Sequence, residues 1–380
     1  MRHPSHLLRL WDSDWNRRLF AGLILFIATV AAAQETDSPK FKVKPLTLPG
    51  ANGLVMLDYL AYDNTSRRLW VPAANTGSVD VLDTTTDQIT PVEGFSVAQI
   101  ELRGKLRSVG PSSVAIGDGV VYIGSRADSK ICIINGRTLN LGDCIAFAPP
   151  SAGMAAAPDG LIYIAATREL WATSGAPPIG IPAADRSIKI FSASRPTNLT
   201  PAGKIPLPAS AEGYAVDNLH GRFYTNLEET GQTVAIDVRK RAVVSTWRSC
   251  DDPSGVAVDS DRGFVFVACS DHVIVLDPAH DGRVAGSIPT GAGVDNIDYT
   301  EDTGLLYAAA AEAAQLTVAR VDDEGRPTPL ALVPTTKGAR SVVAGASGRA
   351  YVIDPLGGRI LKVELSNLTA AQPLEKTRKE

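Results

Sequence analysis

Residues 252–290 read DPSGVAVDSDRGFVFVACSDHVIVLDPAHDGRVAGSIPT. Four short apolar runs, GVAVD, GFVFVAC, HVIVLD and VAGSI, fill about forty residues and are separated by Gly, Asp and Pro. Apolar runs of this length, rich in β-branched and aromatic residues and bounded by turn formers, predict strands. Four antiparallel strands in a repeat of this length make one blade of a β-propeller.

Copies of the pattern recur along the chain. Aligned on the first strand, they give seven units, starting at Leu57, Gly110, Ser151, Ala211, Asp252, Gly293 and Ala339. The last unit, ARSVVAGASGRAYVIDPLGGRILKVEL, has three strands, and the extended segment Phe41 to Leu48, FKVKPLTL, has no partner in the first. That segment is expected to supply the missing outer strand and close the ring, which removes the exposed edges of an open array. The fold expected is therefore all-β, a seven-bladed β-propeller of four-stranded antiparallel blades over residues 41–366. A polar tail over 367–380 and a linker over 34–40 flank it.

The residue just before each first strand serves as a marker: Asp58, Ser112, Ala152, Glu212, Ser254, Asp295 and Arg340. Two intervals are long and mark insertions. The first, Val97 to Ser108, carries Arg103, Lys105 and Arg107. The second, Glu169 to Asp185, reads ELWATSGAPPIGIPAAD, contains Trp171, and is expected to be a long loop between the second and third strands of its blade. Gly-Asp-Gly119 and Pro-Asp-Gly160 read as hairpin turns.

The N-terminus has its own character. Arg17 and Arg18 precede an apolar run, Leu19 to Val30, followed by Ala31-Ala32-Ala33. This order of charge, short apolar run and small residues predicts a secretory signal peptide over residues 1–33. The run falls short of the roughly twenty residues a bilayer span needs, so no membrane span is expected after cleavage. The chain carries 37 basic and 41 acidic residues, and the leader holds four Arg and two Asp. The mature chain thus has 33 basic and 39 acidic residues, net −6, a balance that argues against nucleic acid as a partner. A periplasmic or secreted monomer is expected.

All four cysteines lie beyond the leader, where disulfides can form. Cys132 and Cys144 are equidistant from a turn near Thr138, so they face each other across a hairpin. Cys250 links into the next blade and Cys269 ends that blade's second strand, two places on one propeller face. The expected pairs are 132–144 and 250–269. No haem-attachment or Cys-x-x-Cys redox motif occurs.

The repeat itself carries a resemblance. Ala-Val-Asp217, Phe-Tyr224-Thr-Asn226 and Ala-Ile-Asp237 succeed one another in the fourth unit. Leu-Trp-Val-Pro with Val-Leu-Asp83, and Val-Phe-Val-Ala with Val-Leu-Asp277, repeat the theme. The pattern resembles the YVTN (YncE-like) repeat β-propeller family of exported bacterial proteins. The resemblance implies the fold over most of the chain and leaves the activity open. Asp83, Asp237 and Asp277 are expected to hold their turns by accepting backbone N–H groups.

First strands line a propeller's channel, so the markers ring its mouth. Asp58, Glu212, Asp295, Asn296 and Arg340 are the candidate ligand-binding residues there. The loops between second and third strands are expected to add Arg126, Arg168 and Asn226, with Trp171 on the long insertion, for charge pairing and stacking. Carboxylate and amide oxygens suit a divalent cation such as Ca²⁺, and Glu212, Asn226 and Asp295 are the candidate ligands. Of the histidines, only His272 sits on this face.

No Ser nucleophile elbow, zinc-protease, Walker or dinucleotide fingerprint is present. The favoured reading is an exported binding protein or scaffold, with a small ligand or an envelope protein as partner. The alternative is a divalent-metal-dependent hydrolase or lyase of gluconolactonase-like type, by analogy of fold.

Overall fold

The computed structural model describes residues 40–102, 105–148, 157–174 and 186–366. The expected leader and C-terminal tail lie outside the described residues. The described chain forms seven four-stranded antiparallel sheets and one extra two-stranded hairpin. In each sheet the first strand is innermost. These inner strands are Ala61–Asp63, Pro111–Gly117, Pro158–Ile164, Ala211–Asp217, Val256–Asp259, Val294–Thr300 and Val342–Ala344. Each touches the next, and the seventh touches the first, so the ring is closed. The closing strand is Lys40–Thr47, which pairs with Arg359–Ser366 in an eight-residue antiparallel register and completes the seventh blade.

Side chains alternate between the faces of a strand, and each blade has a neighbour on both faces. The second and third strands of a blade are therefore buried on both faces and read as continuous apolar runs, whereas the outermost strands are largely exposed and mixed in sequence. In GFVFVAC, Val265 and Val267 pack toward the fourth blade while Phe264, Phe266 and Ala268 pack toward the sixth. Seven buried clusters result, each filling one gap between adjacent blades. The core is thus a ring of wedges around the channel.

Both disulfides form, Cys132–Cys144 across directly paired strands and Cys250–Cys269 between a connection and the adjoining strand. Asp83 and Asp237 each accept two backbone N–H groups from the following turn, at 2.8–3.0 Å, and these bonds hold both carboxyls below the usual range. Asp277 departs from that expectation, since its carboxylate meets His280 Nδ1 at 2.6 Å instead.

The two insertions take different forms. The first forms a hairpin of its own, Ala98–Leu102 paired with Lys105–Val109, with 103 and 104 outside the described residues. In the third blade the strands are displaced: Pro158–Ile164 is the innermost and Glu169–Ser174 the second. Glu169–Ser174 is a strand and not the start of a loop, and the rest of that insertion, 175–185, is outside the described residues. The turn between the two strands is Ala165–Arg168, with Arg168 at φ 53°. It has no glycine, whereas Pro-Asp-Gly160 carries a strong turn signature and sits inside a strand. The chain chose the weaker signal because LIYI and ELWATS pair over their length and bury Leu161, Leu170, Trp171 and Ala172.

Candidate functional site

Four of the inner strands begin with a bulge: register shifts at Pro111/Ser113, Pro158/Leu161, Glu212/Tyr214 and Val294/Ile297. A bulge turns a side chain out of the regular alternation, and here the residues around it face the channel mouth. Gly213, next to Glu212, has φ +63°, and a Cβ there would lie 2.1 Å from the Ser254 carbonyl oxygen. Only glycine allows the fifth blade's backbone to approach this closely.

The mouth is a cavity of about 270 Å³. Asp58, Ser112, Glu212, Asp295, Asn296 and Arg340 all line it, as the marker positions predict. Arg126 joins them from the turn after Val120–Ser125. The extra hairpin contributes Ile100, Arg107 and Ser108 to the wall.

The charged groups are organised in a chain. Arg340 donates to Asp295 Oδ2 at 2.8 Å and to Asp58 Oδ1 at 3.0 Å. Arg126 pairs with Asp159 and approaches the other oxygen of Asp58 at 3.8 Å. Asp159 was not expected here: it belongs to Pro-Asp-Gly160, which the sequence presents as a hairpin turn. It stands at the start of the third inner strand, where a marker residue should be, and it lines the cavity. The expected marker, Ala152, lies outside the described residues.

Glu212 stands apart from that chain. Its Oε1 accepts a bond from the Tyr59 hydroxyl at 3.3 Å, and among the described residues no cation comes within ion-pair distance. Burial, reinforced by Asp295, Asp58 and Glu228, pushes the Glu212 carboxyl up to about 7. Burial also raises Asp295, against the pull of Arg340. The Arg340 guanidinium is held charged by Asp58 and Asp295 despite its burial. Asp58, Asp295 and Arg340 keep 19, 31 and 39% of their side-chain surface accessible, so the groups are recessed within the protein yet open to the cavity.

Below the mouth, Tyr59 packs against Tyr214 with ring centroids 5.3 Å apart. Burial raises both phenols above their ordinary value, so they stay protonated at neutral pH. The channel continues past them as a second space of about 410 Å³, lined by inner-strand residues such as Leu60, Ile162 and Val256. Asp298 lies along it, bonded by the Tyr299 and Ala344 amides at 2.8 Å and pushed up to about 6 by burial.

Three expected site residues are elsewhere. Trp171 is 1% exposed, packs on Phe223, and donates its indole N–H to Glu169 at 2.9 Å. It fills the gap between the third and fourth blades and cannot stack on a ligand. Arg168 belongs to a turn between first and second strands, so it lies on the opposite face from the mouth. There its Nε donates to Asp118, in the corresponding turn of the second blade, at 3.1 Å. Asn226 is fully buried: its amide donates to the Ser254 carbonyl at 2.6 Å, and its oxygen accepts from Thr233 at 2.6 Å. Asn226 holds the fourth blade to the fifth, is buried away from the cavity and does not line it. Glu212 and Asp295 do line the mouth, but among the described residues no group of three or more His, Cys, Asp or Glu is placed to hold a metal ion. His272 pairs with its neighbour Asp271 at 2.7 Å and is not part of the cavity wall.

No family model and no curated protein sequence matches the chain. Solved structures do. One from the mitotic checkpoint complex superposes with a TM-score of 0.65 at 12% identity, covering 92% of this chain and 99% of the other. The RRP9 WD40 repeats give 0.63 at 11% identity, over 85% and 97%. A streptogramin B lyase gives 0.61 at 11% identity, over 86% and 98%. The chain shares the propeller fold. At such identities the likeness carries the architecture and nothing of the activity.

Proposed function

We propose that the chain is an exported binding protein of the YVTN (YncE-like) kind, whose channel mouth takes a small polar ligand. The observation that carries this reading is the recessed cavity with an uncompensated Glu212 beside the Tyr59 hydroxyl and a chain of Arg and Asp around it. Packing alone gains nothing from placing such a carboxylate there, because burial without a partner costs free energy. Export to the periplasm or medium fits the two disulfides. Among the described residues no helix is long and apolar enough to cross a membrane.

A thermal-shift panel of small polar metabolites tests the reading. A true ligand at a hundredfold its Kd should stabilise the chain by about 2.7 kcal/mol. Its effect should vanish in Ser108→Trp, where the new side chain occupies the cavity rim. A ligand whose effect survives that substitution binds elsewhere and overturns the proposal.

A further inference from the structure

The charges at the mouth do not balance. Four carboxylates line it, from Asp58, Asp159, Glu212 and Asp295, against three guanidiniums, from Arg107, Arg126 and Arg340. Arg126 and Arg340 are shared among the three aspartates. Arg107 is exposed on the hairpin and meets no carboxylate among the described residues. Glu212 is left with a single long bond from Tyr59, and its second oxygen, Oε2, has no hydrogen-bond partner among the described residues.

On the reading of this mouth as a ligand site, we propose that the ligand is an organic monocation, a protonated amine, held by Glu212 against the ring of Tyr59. With Glu212 ionised the lining groups carry a net negative charge, and Glu212 is the carboxylate that no guanidinium serves, so a cation beside it would offset that charge. A hard metal ion would ask for six or more oxygens, while the other carboxylates already serve Arg126 and Arg340. An ammonium needs only a few acceptors, and Tyr59 adds an aromatic face, backed by Tyr214, for a cation–π contact. The volume of about 270 Å³ is at the small end for ligand pockets.

The proposal has a proton consequence. The groups facing Glu212 are Asp58, Asp295 and Glu228, which resist its ionisation, and Arg126 and Arg340, whose positive charges favour it; the Tyr59 hydroxyl is hydrogen-bonded to it and the protonated Tyr214 phenol lies nearby. With the Glu212 carboxyl near 7, an amine must displace its proton at lower pH. Affinity should therefore rise about tenfold from pH 6 to pH 8, following the ionised fraction. One proton per ligand should be released below pH 7.

The test uses the full chain with n-butylammonium, butanol and butyrate as probes, by calorimetry in two buffers of different ionisation enthalpy. The expected result is that butylammonium alone binds, with the pH rise and proton release above, and that Glu212→Gln weakens it at least tenfold. Proton release is read on the wild type, so the outcome does not depend on how well that variant folds. If butanol or butyrate binds as well as butylammonium and Ser108→Trp abolishes it, the mouth is a ligand site and the monocation inference is wrong. If butylammonium binds with no pH dependence, or Ser108→Trp leaves it unchanged, the inference also fails. If no probe binds, the inference is overturned, and the site reading is then judged by the wider metabolite panel alone.

Discussion

Glu212 and its surroundings show what single residues decide in this molecule. Its carboxyl ordinarily titrates near 4.5 and is raised to about 7 in the folded chain. A carboxyl raised by folding binds its proton more tightly in the native state. Its contribution to stability is therefore full below about 4.5 and lost as pH rises through 7. Glu212→Gln keeps the shape and removes the titration. The melting temperature of the variant should gain on the wild type between pH 5 and pH 8, with the difference still growing through pH 7. A difference independent of pH would show that Glu212 is not held in the raised state. Asp58, Glu212, Asp295, Asn296 and Arg340 were legible because each stands directly before or within an apolar run of fixed spacing. Asp159 was hidden by its own neighbours, since Pro and Gly around an Asp mimic a hairpin turn. Arg168 was misplaced by the same error, because shifting the strands of the third blade moves it from one propeller face to the other.

Among the elements, the inner parts of the strands carry the stability. Phe266 is fully buried between the fifth and sixth blades and contacts Tyr299 with ring centroids 4.7 Å apart. Phe266→Ala should cost about 3–5 kcal/mol in denaturant unfolding. Val244→Ala, on an outermost strand with 43% of its surface exposed, should change stability by less than about 0.5 kcal/mol. Equal costs would contradict the wedge-shaped core. The middle strands of each blade were readable because both their faces are buried and their runs are apolar. Strand order in the third blade was not, because its true first turn, Ala165–Arg168, lacks glycine and places Arg168 in the left-handed region. The extra hairpin was readable only as an insertion. Its alternation is weak, and it adds Ile100, Arg107 and Ser108 to the mouth rather than a strand to a blade.

At the scale of the molecule, closure gives the ring its site. Lys40–Thr47 pairs with the last strand, the seventh blade meets the first, and the inner strands converge on one axis. Side chains far apart in sequence are thereby brought together: Asp58 and Arg340 lie 282 positions apart and share a hydrogen bond. The same closure that the repeat count predicts makes the mouth a cavity and not a flat surface. The most direct measurement of the channel-mouth site is a crystal structure of the full chain grown with the ligand that the thermal panel selects. The expected result is density inside the channel mouth, within hydrogen-bond distance of Glu212 and Tyr59. Density on the opposite face near Asp118, or on the outer strands with the mouth holding only water, would contradict it.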